Sequence, residues 1–300
     1  CRPIVIGDLG VMETAGRLLA SAIQVHPILD LSDSAFQPGR VEILTPDGLT
    51  IDQVPSGQVD AAMGEAATAS LRFAYELAMA GQVQGVVSAP LNKEAFHLAG
   101  YNYLDEVGYL AELTGCPDAY ILGVMEPLWV ITVTEHVPFK DIHVLLTQER
   151  VLTYIRHLQN VLTRVGKPSP RIGVAALNPH GGEGGLLGNE EIDVIRPAII
   201  DAQEEEIDAI GPVPADAIFV NGLADAYDGI VCMYHDQANI ARKLQPMEQR
   251  VTLFMELPVV CGTTAHGTAF DIAGQGVADP GSLASALRYT VKLASQVENR

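Results

Sequence analysis

Apolar, β-branched runs alternate along this chain with long amphipathic stretches, and few folds accept that pattern. "PIVIGD" (3–8) precedes "GVMETAGRLLASAI", "VQGVVSAP" (83–90) follows "GEAATASLRFAYELAMAG", and "RIGVAALNP" (171–179) follows "TQERVLTYIRHLQNVLTRVG". Strands this apolar are buried on both faces, which predicts an α/β fold: a mostly parallel mixed sheet covered by helices on both sides. "AIFVNG" (217–222), "GIVCMYHD" (229–236) and "VTLFMELPVV" (251–260) predict three further strands. With 300 residues, 48% of them hydrophobic, the chain closes a large core in two lobes. It contains no internal repeat and no Gly/Ser linker, so a lobe boundary is expected within the crossovers between strands.

Charge narrows the partners. Thirty-seven acidic residues against 18 basic ones give a net charge of −19, which argues against nucleic acid, whose phosphates demand excess Lys and Arg. Cys1, Cys116, Cys232 and Cys261 stand far apart with no CxxC pair, as expected of reduced thiols. No apolar run is long enough to span a membrane and the first residues read as a strand, so a cytoplasmic protein is expected.

Ligands of open α/β sheets gather at the carboxyl ends of strands, and three histidines stand there. His136 follows "WVITVTE", His180 sits in "LNPHGGEGG", and His235 follows "GIVCMY". Three imidazoles with open positions suit a divalent cation that polarises a substrate oxygen. Each taken singly reads equally as a strand-end residue bonded to a neighbour. His26, His97, His143 and His157, in helical or loop contexts, read as surface or packing residues. Asp216, Asp236, Lys243 and Lys93 stand near the histidine stretches or strand ends, as acids and bases for a hydroxyl proton or as solvated charges. The stretch "AHGTAFDIAGQGVADPGSLASALR" (265–288) reads as a nucleotide-contacting loop or a Gly-rich linker, then a helix opened by Pro280 and Ser282. The GxGxxG dinucleotide fingerprint is absent.

Together "SAPLNKEAFHLAG", "HVPFKDI", "LNPHGGEGG", "GPVPADAIF", "YHDQ" and "HGTAFDIAGQGVAD" resemble the 4-hydroxythreonine-4-phosphate dehydrogenase (PdxA) family, a branch of the isocitrate and isopropylmalate dehydrogenase-like fold. The resemblance implies that residues 1–300 form one unit of two interleaved lobes. It implies an NAD-dependent dehydrogenase that oxidises the secondary alcohol of a 3-hydroxy acid, with decarboxylation. The metal ligands would be His136, His180 and His235, with Zn expected and Co, Ni, Mn and Mg as alternatives. Asp216, Asp236 and Lys243 would be the catalytic set, with Lys243 also on the substrate together with Lys93. His266, Gly267, Thr268, Ala269, Asp271 and Asp279 would contact NAD. A homodimer with a shared active site is implied, His235 serving the neighbouring chain's metal.

The departures bear on the substrate. Where the family has Gly-His-Thr-Glu, this chain has Asp105-Glu106-Val107-Gly108, and the family's substrate Asn and Arg become Thr252 and Cys261. An Arg, a His and a Thr are lost and a carboxylate gained, which disfavours a phosphate dianion. The expectation is a catabolic relative whose substrate is not 4-hydroxythreonine-4-phosphate but another hydroxy acid, such as a phosphorylated sugar acid or a dihydrodiol carboxylate, with Glu106 and Thr252 lining its pocket. The alternative is a true 4-hydroxythreonine-4-phosphate, threonate-phosphate or erythronate-phosphate dehydrogenase. Readings of another class are a metal-dependent hydrolase or aldolase without nucleotide, and a non-catalytic binding protein. The family's opening strand and "GDPAGIGPE"-like turn are expected to be absent before Cys1.

Overall fold

The structure, a computed structural model, describes residues 1–19 and 22–297; Ala20 and Ser21, within the first expected helix, lie outside them. The chain divides into two compact units, Cys1–Tyr120 with Phe254–Ala294 and Ile121–Leu253 with Ser295–Arg300.

The first unit opens with β1 (Ile4–Ile6), α1 (Leu9–Leu18), β2 (Gln24–Ile28), β3 (Arg40–Leu44), α2 (Ala61–Met79), β4 (Gly85–Ser88), α3 (Lys93–Leu98) and α4 (Glu106–Thr114). β3 pairs in parallel with both β1 and β2. Asp8, Asp60, Asn92 and Asp105 each cap a helix by accepting a backbone N–H, from Val11, Met63, Ala95 and Gly108, satisfying donors that the first helical turn leaves free.

The second unit carries β5 (Tyr120–Met125), β6 (Leu128–Thr134), α5 (Ile142–Leu145), α6 (Gln148–Arg164), β7 (Ile172–Ala175), α7 (Arg196–Glu204), β8 (Ala209–Val213), α8 (Ala215–Leu223), β9 (Gly229–Tyr234), α9 (His235–Lys243) and β10 (Arg250–Met255), on which the chain returns to the first unit. β6, β9, β7 and β8 run parallel in that order, and β5 pairs antiparallel with β6. α6 buries Val151, Leu152, Ile155, Leu158, Val161 and Leu162, the 3-to-4 spacing of a helix lying on a sheet. Met125, Leu128, Val130, Ile218, Phe219, Ile230 and Cys232 form a core cluster between strands and α8. The chain ends with β11 (Val260–Thr264), parallel to β4, and α10 (Gly281–Val297).

The expected mostly parallel α/β architecture is present, with local corrections. "AIFVNG" is not a strand but part of α8. "VTLFMELPVV" is β10 and the start of β11, parted at Glu256, whose φ of 57° turns the chain. His26 lies in strand β2, not in a helix or loop. No helix among the described residues is long and apolar enough to cross a membrane, and all four cysteines are free.

Candidate metal centre

β6 and β9 are parallel neighbours with Thr134 opposite Tyr234. Parallel strands end on the same side, so the residues that follow, Glu135 and His136 on one and His235 on the other, leave side by side. The Thr134 hydroxyl donates to the Met233 carbonyl at 2.8 Å and locks the two ends together. The His136 and His235 rings are 5.2 Å apart between centroids. One ligand atom each from Glu135, His136 and His235 lies within 4.8 Å of the other two. Two imidazoles and a carboxylate fit a divalent cation that accepts nitrogen and oxygen donors. His136 and His235 of one chain therefore converge, where the resemblance gave His235 to a neighbour. Glu135 was missed; its adjacency to His136 at the end of a fully buried strand was the available signal.

The motif around His235 explains itself. His235 Nδ1 donates to Asp236 Oδ1 at 2.8 Å, which leaves Nε2 with its lone pair for a ligand, the usual carboxylate support of a metal-bound imidazole. Gln237 accepts from Met233 N at 2.7 Å and donates to the Ala176 carbonyl at 2.7 Å, stapling β9 to the end of β7. Further along α9, Arg242 is buried and donates to Asn239 Oδ1, the Val251 carbonyl and Thr252 Oγ1 at 2.9, 2.9 and 3.1 Å. Burial, opposed by the Glu135 charge, brings the guanidinium down to about 10. Gly123 makes the room: a Cβ there would stand 2.5 Å from Arg242 Nε. Thr252, expected on the substrate, thus has its hydroxyl engaged by Arg242. Lys243 is exposed in the last turn of α9, and Asp216 is exposed in the first turn of α8.

His180 stands apart from that group. It begins a run of left-handed residues, with φ of 53°, 70°, 79°, 46° and 66° from His180 to Gly184, a conformation that glycine enters freely and other residues at a cost. Gly182 is further required because a Cβ would lie 2.7 Å from Glu191 Oε2. Glu191, buried, accepts from Leu177 N and Asn178 N at 2.8 and 2.7 Å and anchors the start of the loop. The His180 side chain is 69% exposed, and its Nδ1 meets Glu183 Oε1 at 3.1 Å.

In the first unit, Glu106 follows the Asp105 cap of α4, and its Oε1 is buried without a hydrogen-bond partner. Burial, reinforced by the Asp105 charge and opposed by the Ser88 hydroxyl, pushes its carboxyl up to about 7. Burial likewise raises the Tyr75 phenol and the Cys261 thiol, each also beside a negative neighbour. Lys93 is exposed at the start of α3. The stretch from His266 to Asp279 forms the connection from β11 to α10, with Gly267, Ala269, Asp271 and Asp279 exposed and His266 and Thr268 half-buried. His266 Nδ1 donates to the Gly267 carbonyl, and Asp279 accepts from Gly281 N at the entry to α10.

The family described as "Pyridoxal phosphate biosynthetic protein PdxA" matches residues 1–290. A D-threonate 4-phosphate dehydrogenase of Cupriavidus necator is 38% identical over 99% of this chain and 89% of its own. The crystal structure of a 4-hydroxythreonine-4-phosphate dehydrogenase from Klebsiella pneumoniae superposes with a TM-score of 0.81 at 34% identity, covering 97% of this chain and 90% of its own. A terephthalate 1,2-cis-dihydrodiol dehydrogenase from Burkholderia xenovorans gives 0.63 at 30% identity, covering 96% and 89%.

Proposed function

The chain belongs to the PdxA family, and on that footing we propose that it is a metal- and NAD-dependent dehydrogenase of a 3-hydroxy carboxylic acid, with decarboxylation of the oxidised product. The observation that carries this reading is the meeting of Glu135, His136 and His235 at the carboxyl ends of β6 and β9. His136 and His235 would hold the cation, with His180 brought to it from its left-handed loop. When bound, the cation supplies positive charge to the alcohol oxygen, and NAD supplies the hydride acceptor.

The chain's own residues handle charge and protons. Asp236 keeps His235 in the tautomer that presents Nε2. Lys243 Nζ, as an ammonium, binds the substrate carboxylate, and Asp216 accepts the hydroxyl proton. Lys93 adds a second cation for an acidic substrate. The exposed connection from His266 through Gly267, Thr268, Ala269 and Asp271 to Asp279 offers backbone groups and carboxylates to the ribose side of NAD. A homodimer is the assembly this family membership favours.

On substrate, the relatives favour the alternative reading, a hydroxythreonine or threonate phosphate dehydrogenase, over another hydroxy acid. The Cupriavidus and Klebsiella proteins are named for phosphorylated four-carbon hydroxy acids, so such a phosphate is the leading candidate. Glu106 is compatible with it: a carboxyl raised to about 7 by burial is neutral at lower pH and donates a hydrogen bond to a phosphate oxygen. The replacements Glu106, Thr252 and Cys261, with the dihydrodiol dehydrogenase among the relatives, keep an unphosphorylated acid as the second reading. Steady-state rates of NADH formation with D-threonate 4-phosphate against its dephosphorylated form decide between them. Preference for the phosphate supports the first, preference for the free acid the second, and turnover of neither removes the dehydrogenase assignment.

A further inference from the structure

Arg242 is buried in α9 beside the lysine that the proposed function places on the substrate, and nothing in that chemistry calls for it. We propose that Arg242 is a positioning residue for the substrate end of the site: it fixes Thr252 as a hydrogen-bond donor and holds the last turn of α9, from which Lys243 projects, against β10. The inference deepens the proposed function and rests on it for Lys243 and Thr252 facing the substrate.

One guanidinium serves three acceptors. Its Nη2 donates to the Val251 carbonyl at 2.9 Å and to Thr252 Oγ1 at 3.1 Å, while its Nη1 donates to Asn239 Oδ1 at 2.9 Å. The first two bonds reach β10 and the third returns to α9, so a single rigid fork joins helix to strand. From the strand side, Arg250 Nη1 donates to the Lys243 carbonyl at 3.2 Å, and Lys243 therefore leaves a turn held from two directions. Thr252 is half-buried, and a hydroxyl that accepts from a guanidinium keeps its own proton to give. It offers a donor, which suits a carboxylate or phosphate oxygen. The arrangement strains against its surroundings: Arg242 is 6% exposed, its Nε has no hydrogen-bond partner, and Arg250 places a second positive charge nearby. An apolar side chain of similar length would fill the space that Gly123 leaves open with less penalty. Stability alone does not account for a guanidinium here; the acceptors it holds do.

The test is a mutant cycle on the purified full chain with divalent metal and saturating NAD, using whichever of D-threonate 4-phosphate and its dephosphorylated form the parent oxidises. Arg242→Met, which keeps length and removes the donors, should raise KM by about tenfold and leave kcat within about threefold, the mark of a lost hydrogen bond made equally in ground and transition states. Thr252→Val should raise KM by a similar factor. The double variant should go no further than the larger single one, because the two residues act through one bond. A KM within about twofold of the parent's in Arg242→Met, or effects that multiply in the double variant, would overturn the proposal. If Arg242→Met does not fold, Gly123→Ala, which presses on the guanidinium from β5, should show the same rise in KM and the same failure to add to Thr252→Val. A parent that oxidises neither acid would strike the proposed function instead. The cycle is then read on denaturant midpoints: shifts of Arg242→Met and Thr252→Val that add would overturn the brace between α9 and β10, and shifts that do not add would sustain it.

Discussion

Replacing Glu106 by Gln should stabilise the protein increasingly as pH rises from about 4.5 to about 7 and fully above that range. The Glu106 carboxyl goes from the ordinary 4.5 to about 7 because it is buried, with Asp105 adding repulsion. A raised carboxyl binds its proton more tightly folded than unfolded. Its contribution is therefore fully present below 4.5 and is lost as pH rises through about 7. Each tenfold change in proton affinity is worth about 1.4 kcal/mol, so above that range the ionised group weighs on the fold by about 3 kcal/mol. Gln carries no such charge at any pH. With an unfolding entropy of about 2 cal/mol/K per residue, the variant's Tm should exceed the parent's by about 5 °C at about pH 8.5 and match it near about pH 4. Thermal denaturation across that range is the assay. An equal shift at both ends, or none at pH 8.5, would show that Glu106 is not a buried, proton-holding carboxyl.

The same titration should reach the substrate. If Glu106 donates to a phosphate, the preference for phosphorylated over free acid, as a ratio of kcat/KM, falls as pH rises past about 7, and Glu106→Gln flattens the profile; a pH-independent ratio in the parent contradicts this. Gly123→Ala should destabilise by about 1–3 kcal/mol by pressing on Arg242, seen as a lower denaturant midpoint; an unchanged midpoint would mean the guanidinium does not occupy that space. Glu191→Ala strips two backbone donors of their acceptor and should cost about 2–4 kcal/mol while opening the stretch after Asn178 to proteolysis; resistance equal to the parent's would show the loop holds without it.

The alternation of apolar runs and amphipathic stretches was readable because burial on both faces leaves a plain mark, and β1, β4, β7, β9, α2 and α6 follow it. "AIFVNG" misled because β-branched and aromatic residues favour strands, while Ile218, Phe219 and Gly222 are buried at helical spacing and tertiary packing decided. β2 was unreadable, with His26 and Pro27 in five residues, and β3 hides a Glu42 that is 1% exposed. In the site, His136 and His235 were visible as polar residues ending apolar strands. Glu135 was not, since only the pairing of β6 with β9 shows which neighbour shares the space. The burial of Glu106 was equally hidden, because a residue at a helix start reads as solvated until the packing around it is known.

The central claim, a cation held at His136 and His235 with His180 and serving alcohol oxidation by NAD, meets its most direct test in one assay: NADH absorbance on mixing the metal-loaded chain with NAD and D-threonate 4-phosphate. NADH should form, stop when a chelator strips the cation, return on its replacement, and be absent in His235→Ala. NADH formation that persists through chelation and survives His235→Ala would contradict it.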